Sequence, residues 1–456
     1  MSALKHDCTG SHVGDDMNRL EDGAVKYQID LERYKNGQAN EIVGLLDEAN
    51  SEIKKFIMKT GGVHTKKRYL EIARKLRDVS KTLKENADEN MDIDGLIDYE
   101  LRKQKSLLES VKGEISKIRG IDATVDFLYP TREQIKTAAL FKPVADTMTY
   151  QSYLDGIESG LYNTWDSAVR TGYLTGQTAQ EIVRNVVGSA GKAGQLANPG
   201  TMRTFRNYVY GNTRTVLQSF ANETRNRIYE KNEDLFGDGE YKYEYLATLD
   251  SRTCMVCGND DGRLFKSLKD APQLPRHRGC RCLMIPWFGI DEGTRAGSDG
   301  YVSSKVTFEE WLSGQNENTQ LEVLGRTRYE LFRRGEPMCQ FVDNGNTLTI
   351  DELKKRIDIK SVFGNNMHEP DLNKMSAHLV NHRAKERGVT VEDVIDAVRN
   401  PLKRGQVREK DGAYLIIGER ASVGVSAFDG TITTAWRTGK DRLRKYKDID
   451  NEKNTK

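Results

Sequence analysis

No apolar run in this chain of 456 residues approaches the ~18 residues that a membrane-spanning helix needs. The start, MSALKHDCTGSHVGDDMNRLEDG, is polar and lacks the apolar core of a signal peptide. The expectation is a protein made and kept in a reducing cytoplasm, where disulfides are rare and clustered cysteines bind metal. Aromatic residues are scarce at 8%, and hydrophobic residues make up 37% against 30% charged. Those proportions argue against one large core and favour long helices with solvated faces, in roughly two to four domains. Net charge is also nearly absent: +2 over the whole chain, so only its local distribution carries information. Cysteine is sparse too. Of six, Cys8 and Cys339 stand alone and read as inert thiols.

The other four cysteines lie in one short window. Cys254-Met-Val-Cys257 is followed, after a spacer, by Pro275-Arg-His277-Arg-Gly-Cys280-Arg-Cys282. A CxxC paired with an HxxCxC about two dozen residues later has metal-site spacing. Zn²⁺ takes four ligands in a tetrahedron. Cys254 and Cys257 supply two from one turn, and His277, Cys280 and Cys282 are three candidates for the other two. Gly258, Gly262 and Gly279 suit the tight turns of such a knuckle. No carboxylate sits at a motif-like distance as general base, so the metal is expected to be structural. Reduced cysteines packed in a small β-hairpin module, and a disulfide pair, are the other readings of this window. The paired histidine and asparagine of an HNH-type nuclease finger are lacking.

Elsewhere the pattern is helical. Ile42, Leu45, Leu46, Ala49, Ile53 and Ile57 follow helical spacing, with charged residues between them. Lys66 to Ile118 is similar, broken near Asn86–Asp94. Thr178 reads as an N-cap with Glu181 in capping-box position. Gly188 to Gly200 reads as a loop, followed by a helix from about Met202 to Lys231. Most of the arginines of that helix, at 203, 206, 214, 225 and 227, are expected on its wet face, with a nucleic-acid contact as the other reading. Gly289–Ser304 and about Lys355 to Glu369 read as connectors, and Thr307–Leu312 as a short helix.

The last ninety residues change character. Residues 371–388 read as a helix, and Thr390 caps a second, Val391–Asn400, stopped by Pro401. Period-two segments follow at Ala413–Glu419, Ser422–Phe428 and Thr431–Arg437. Asp429-Gly430 is a hairpin signal between the last two. Between Arg399 and Lys447 there are twelve lysines and arginines against five acidic residues, an excess of +7 that favours a phosphate-rich partner. His378 and His382 are four apart and share a helix face, with Lys385 close by. His is the usual general acid or base near neutral pH. Thr434, Trp436 and Arg437 suit RNA: Trp436 to stack a base, Arg437 to hold a phosphate, Thr434 to fix ribose or phosphate. Cleavage without a metal uses the RNA's own 2′-OH as nucleophile.

Two resemblances follow from these residues. Tyr245-Leu-Ala-Thr-Leu-Asp250-Ser-Arg-Thr-Cys254-Met-Val-Cys257, Asp261-Gly262 and the Pro275–Cys282 segment resemble the phage Mu F-like minor head protein family. The helices with Gly172 and Gly176, Phe308-Glu-Glu-Trp311-Leu312 and Leu324-Gly325 are similar to the rest of that module, so the likeness spans roughly residues 136–350. It implies a few copies inside a phage head near the portal and a role in assembly or in DNA packaging and ejection. The implied partners are portal, major capsid or scaffold proteins and packaged DNA. The order at 368–447 (HLVNHRAKERG, a helix ending in NP, strands, TAWRTG) resembles barnase/RelE-like ribonucleases, and more narrowly the phage toxin nucleases fused to head proteins. That likeness implies His382 as base, Arg383 and Arg387 on phosphate, Glu386 as the nearest acidic candidate, and Thr434, Trp436 and Arg437 beside them. It implies host RNA as substrate and a cognate immunity protein.

The expected fold is mainly α with a small zinc-knuckle-like β module, plus a separate C-terminal α+β domain of two helices and an antiparallel sheet. The expected division is a disordered tail at 1–24, a helical region at 25–135 and a head-protein domain at 136–354 with its Cys/His module at 245–288. A linker at 355–367 and a nuclease-like domain at 368–448 complete it. The leading expectation is a virion protein that carries a ribonuclease toxin. The alternatives are a structural head protein whose basic C-terminal domain binds nucleic acid without cleaving it, and a zinc-dependent DNA-binding regulator, which explains only the cysteines.

Overall fold

The computed structural model describes residues 14–119, 125–145, 148–189, 200–237, 240–288, 294–357, 368–375, 379, 388–406, 413–427 and 430–453. The chain is mainly helical, with a small β-sheet region at its C-terminus. It divides into two compact units, Met1–Thr253 with Asp260–Phe308, and Cys254–Asn259 with Glu309–Lys456.

The first unit is built on eight helices: α1 (Gly14–Thr60), α2 (Lys66–Asn90), α3 (Ile93–Ser110), α4 (Lys112–Arg119), α5 (Arg132–Phe141), α6 (Tyr150–Thr175), α7 (Ala179–Val187) and α8 (Met202–Lys231). The heptad-like apolar positions of α1 and α2 become one core with α6 and α8: Ile42, Leu46, Ile53, Leu76, Leu83, Ile157, Trp165 and Leu217 are all buried in it. Trp165 is fully enclosed and donates its Nε1–H to Asn50 Oδ1 at 3.0 Å, so its one polar atom is satisfied. Sequence signals mark the ends well. Thr178 and Glu181 form the expected capping box, and α8 has the predicted bounds. Between α2 and α3 the break falls at Met91 and Asp92, where Asp92 caps α3 through Gly95 N. One boundary differs: α1 begins at Gly14, inside the stretch expected to be a disordered tail. Gly188 and Gly200 flank the expected loop, of which 190–199 lie outside the described residues.

The arginines of α8 divide: Arg203 and Arg206 are exposed, as expected of a wet face, while Arg214 and Arg225 turn to other helices. Arg225 is 3% exposed and holds Glu100 of α3 through two hydrogen bonds of 3.0 and 3.1 Å. Tyr229 beside it donates to Gln104 at 2.9 Å. Arg214 pairs with Glu32 of α1, Arg206 with Asp47 at 2.9 Å, and Arg227 with Glu223 at 2.8 Å. Periodicity alone could not show this, because α8 is packed by neighbours on most of its circumference and its polar residues meet carboxylates of other helices.

After α8 come β1 (Tyr243–Leu246), β2 (Leu264–Phe265) and β3 (Leu283–Pro286), an antiparallel sheet in the order β2-β1-β3. The stretch expected as a Gly/Ser/Asp connector contains a hairpin, β4 (Thr294–Gly297) with β5 (Gly300–Ser303). Its strands are too short to show period two, and what anchors it is the buried Arg295.

In the second unit, α9 (Met255–Asn259) carries the CxxC. α10 (Phe308–Ser313) begins at the last residue of the first unit and runs on into the second. Next come α11 (Glu317–Arg333), β6 (Val342–Asp343), β7 (Asn346–Thr347) and α12 (Ile350–Arg356). Gly325 has φ +67°, a left-handed break inside α11 where a side chain would be strained. The C-terminal part has β8 (Asp371–Met375), α13 (Val391–Arg399), β9 (Lys403–Arg404), β10 (Ala413–Ile417), β11 (Ala421–Ser426), β12 (Thr431–Arg437) and α14 (Lys440–Lys453).

The meander β10-β11-β12 and the Thr390–Asp393 capping box match the sequence reading. Two features correct it. Residues 371–375 are a strand, not the start of a helix, and β8 pairs with β12 in parallel, so the five-stranded sheet β8-β12-β11-β10-β9 is mixed. DLNKM carries only Leu372 and Met375 as apolar residues, three apart, which mimics a helical stripe. Both pack against the core of the sheet. The expected Asp429-Gly430 turn falls partly outside the described residues; Gly430 itself has φ +74°.

Candidate metal centre and C-terminal sheet

Sheet topology explains why the two halves of the cysteine motif meet. β1 and β3 are antiparallel neighbours with Leu246 opposite Leu283. The end of β1 and the start of β3 therefore lie side by side. Cys254 and Cys257 follow β1 within a dozen residues, and Cys280 and Cys282 directly precede β3, so both arrive at the same end of the sheet.

Among the described residues, two groups have ligand atoms within 4.8 Å of one another: Cys254, Cys257 and His277, and Cys257, Cys280 and Cys282. The five expected ligands thus fall into two three-ligand groups that share Cys257. Cys257, Cys280 and Cys282 are buried and Cys254 is half-buried. None is in a disulfide. Cys257 N–H points at Cys254 Sγ at 3.4 Å, a contact that favours thiolate character. His277 Nδ1 lies 3.0 Å from Arg278 O, and donation of Nδ1–H there leaves the Nε2 lone pair for a metal. Soft thiols plus one imidazole, taken out of water on one side, are a donor set suited to a metal ion.

Charged residues to which the sequence alone assigned no role hold this window in shape. Arg281, between Cys280 and Cys282, grips Asp250 in the loop after β1, with Nη2 donating at 2.6 Å. Burial pushes the Asp250 carboxyl up, but the hydrogen bonds and charge of Arg281, with Arg252, hold it below the ordinary range. Asp261 accepts from Arg295 twice at 3.0 Å and from the Ala247 and Phe308 amides at 2.7 Å. Burial pushes Asp261 up, and those donors compensate only in part. Arg276 pairs with Asp260, Arg278 reaches Asn207 O on α8, and Gly279 N donates to Thr215 Oγ1 at 3.1 Å. The sequence offered one signal for Asp261: its place in an Asp-Gly pair within the motif, and the structure puts Gly262 at φ +75°. Arg295 offered none.

The C-terminal candidates divide. His378, His382, Arg383, Lys385, Glu386 and Arg387 lie outside the described residues. Thr434, Trp436 and Arg437 sit on β12, where the register shifts between β11 and β12 leave Thr433 without an opposite residue, a β-bulge. Residues directly opposite across strands share a face. The rungs Tyr414–Val425–Ile432 and Ile416–Val423–Ala435 are buried in the core. The rungs Leu415–Gly424–Thr434 and Ile417–Ser422–Trp436 therefore form the other face. Arg437 stands opposite Ala421, on the core-facing side, and its Nε donates to Gly388 O at 2.9 Å. Thr434 and Trp436 thus share a surface, and Arg437 does not join them.

No described helix is long and apolar enough to cross a membrane. Compared with protein-family models, with curated proteins and with solved structures, the chain matches none.

Proposed function

We propose that this chain is a minor head protein of a tailed bacteriophage, acting in head assembly and in DNA packaging or ejection, with a structural zinc centre and a C-terminal domain that acts on RNA as a toxin. The observation that carries this reading is the Tyr245–Cys282 window. Its residues resemble the Mu F-like head-protein signature, and five of its side chains form two overlapping three-ligand groups that share Cys257. The centre would take Cys254 and Cys257 with two of His277, Cys280 and Cys282. Bound zinc would cross-link the ends of β1 and β3. The ion pairs Asp250–Arg281 and Asp261–Arg295 set the loops that present those ligands.

In the C-terminal domain, His382 would accept the 2′-OH proton of RNA. Arg383 and Arg387 would hold the phosphate, with Glu386 as the acidic partner, while Thr434 and Trp436 would receive ribose and base. The placement of Arg437 away from Trp436 favours a second reading: a head protein whose C-terminal sheet binds nucleic acid and does not cleave it. Two measurements on the full chain test these readings. Mass spectrometry of gradient-purified particles from the encoding phage should find the chain beside portal and capsid proteins. If it is found only in the soluble lysate, the head-protein reading fails. Total bacterial RNA incubated with the chain in EDTA should be cleaved, and His382→Ala should abolish cleavage. Intact RNA leaves the non-cleaving reading.

A further inference from the structure

Most arginines and lysines described on α1–α8 that approach another helix meet a carboxylate, as Arg206, Arg214, Arg225 and Lys84 do. The start of α14 is the opposite. Lys440, Arg442, Arg444 and Lys445 are exposed, and none forms an ion pair with a described carboxylate. Only Asp441 interrupts them. Leu443 and Tyr446, three apart, are half-buried on one side, so the cations take the remaining, solvent-facing arc.

This helix starts at the face that carries Trp436. Ser422, directly opposite Trp436, shares a hydrogen bond of 3.0 Å between its hydroxyl and that of Thr438. Thr438 also donates to Gly418 O at 2.8 Å, and its own N–H donates to Arg420 O at 3.1 Å. Two residues later α14 begins. A half-buried indole, a neighbouring threonine on the same face and a row of four exposed cations without an ion-pair partner among the described residues therefore follow one another along the surface.

We propose that this face and α14 form a track for single-stranded nucleic acid, with a base on Trp436 and the backbone phosphates along Lys440, Arg442, Arg444 and Lys445. Unpaired strands fit because an aromatic ring set in a sheet can stack only on a base whose face is free, and a duplex hides those faces. An anionic membrane fits poorly. Leu443 and Tyr446 already face the protein, which leaves the exposed arc of α14 without the apolar stripe that an interfacial helix needs. The track refines the nucleic-acid part of the proposed function but depends on neither a virion nor cleavage.

The test uses the full chain and a labelled 12-nucleotide deoxy strand, which lacks the 2′-OH and so reports binding when cleavage is absent. We expect tighter binding of the single strand than of the matching duplex or of phosphatidylglycerol vesicles. Arg442→Glu/Arg444→Glu/Lys445→Glu should weaken binding at least about tenfold and flatten the log–log salt slope by ~2. Trp436→Ala should weaken it by about tenfold with the slope unchanged, and Trp436→Phe should retain most of it. If the triple variant does not fold by circular dichroism, Arg444→Gln with Trp436→Phe replaces it, and a shallower slope is expected. Equal or better binding of duplex, preference for vesicles, no binding, or an unchanged slope on loss of the cations would overturn the track. Binding without RNA cleavage would leave the track standing and remove only the toxin reading.

Discussion

Arg225 and Arg444 are both arginines on helices, yet they do opposite things. Arg225 is enclosed, clamped to Glu100 and stacked 5.2 Å over the Tyr27 ring. Arg444 is exposed and forms no ion pair with a described carboxylate. The first unit spends its charges internally: Glu100–Arg225, Asp261–Arg295 and Asp250–Arg281 are each closed by side chains of this chain. In the C-terminal part Arg404 and Arg420 pair with Glu369 and Asp393, but the exposed Lys440, Arg442, Arg444 and Lys445 of α14 form no ion pair with a described carboxylate. Buried pairs are costly to desolvate and contribute mainly by fixing how elements meet. Exposed unpaired cations contribute little to the fold and are there for something else to neutralise. The near-zero net charge of the whole chain hides this division.

The comparison can be broken first at the cysteines. Cys257 belongs to both ligand groups, so Cys257→Ser should abolish metal binding, read by metal analysis. Melting should fall steeply, because structural zinc is worth on the order of 10 kcal/mol in small zinc modules. An unchanged melting temperature would mean that the thiols pack without a metal. Next comes the enclosed pair: Arg225→Met alone leaves Glu100 buried without its partner and should cost about 3–5 kcal/mol in denaturant unfolding. Arg225→Met/Glu100→Leu should recover most of that. If the single variant costs nothing, the pair is not the constraint the geometry suggests.

A smaller effect concerns Lys35 on α1. Burial pushes its ammonium down to about 8, against the pull of Glu32. A lysine whose folded value lies below its unfolded one binds fewer protons when folded. Its penalty is therefore full below about pH 8 and relieved as pH rises toward the unfolded value. Stability should rise by about 2 kcal/mol between pH 8 and 10, and Lys35→Met should remove that rise. The smallest effect sharpens the contrast from the other side: Arg444→Gln should leave unfolding within about 0.5 kcal/mol of the parent.

Much of this was legible beforehand. Thr178, Thr390, Met202 and Lys231 marked helix ends because capping and termination are local chemistry. The ligand cluster was legible because five metal-competent side chains in one window have few other uses. The partners of Arg225 and Arg295 were not, since each pairs with a carboxylate more than thirty residues away. Nor was the strand at 371–375, because its parallel pairing with β12 depends on sixty later residues. Thr434, Trp436 and Arg437 looked like one constellation, but strand alternation puts Arg437 on the other face from Thr434 and Trp436.

Native mass spectrometry of the full chain, purified without chelator, tests the central claim most directly. One zinc ion per chain is expected, lost in Cys257→Ser. A metal-free mass for the parent chain, or a mass two hydrogen atoms lighter from a disulfide within Cys254–Cys282, would contradict it.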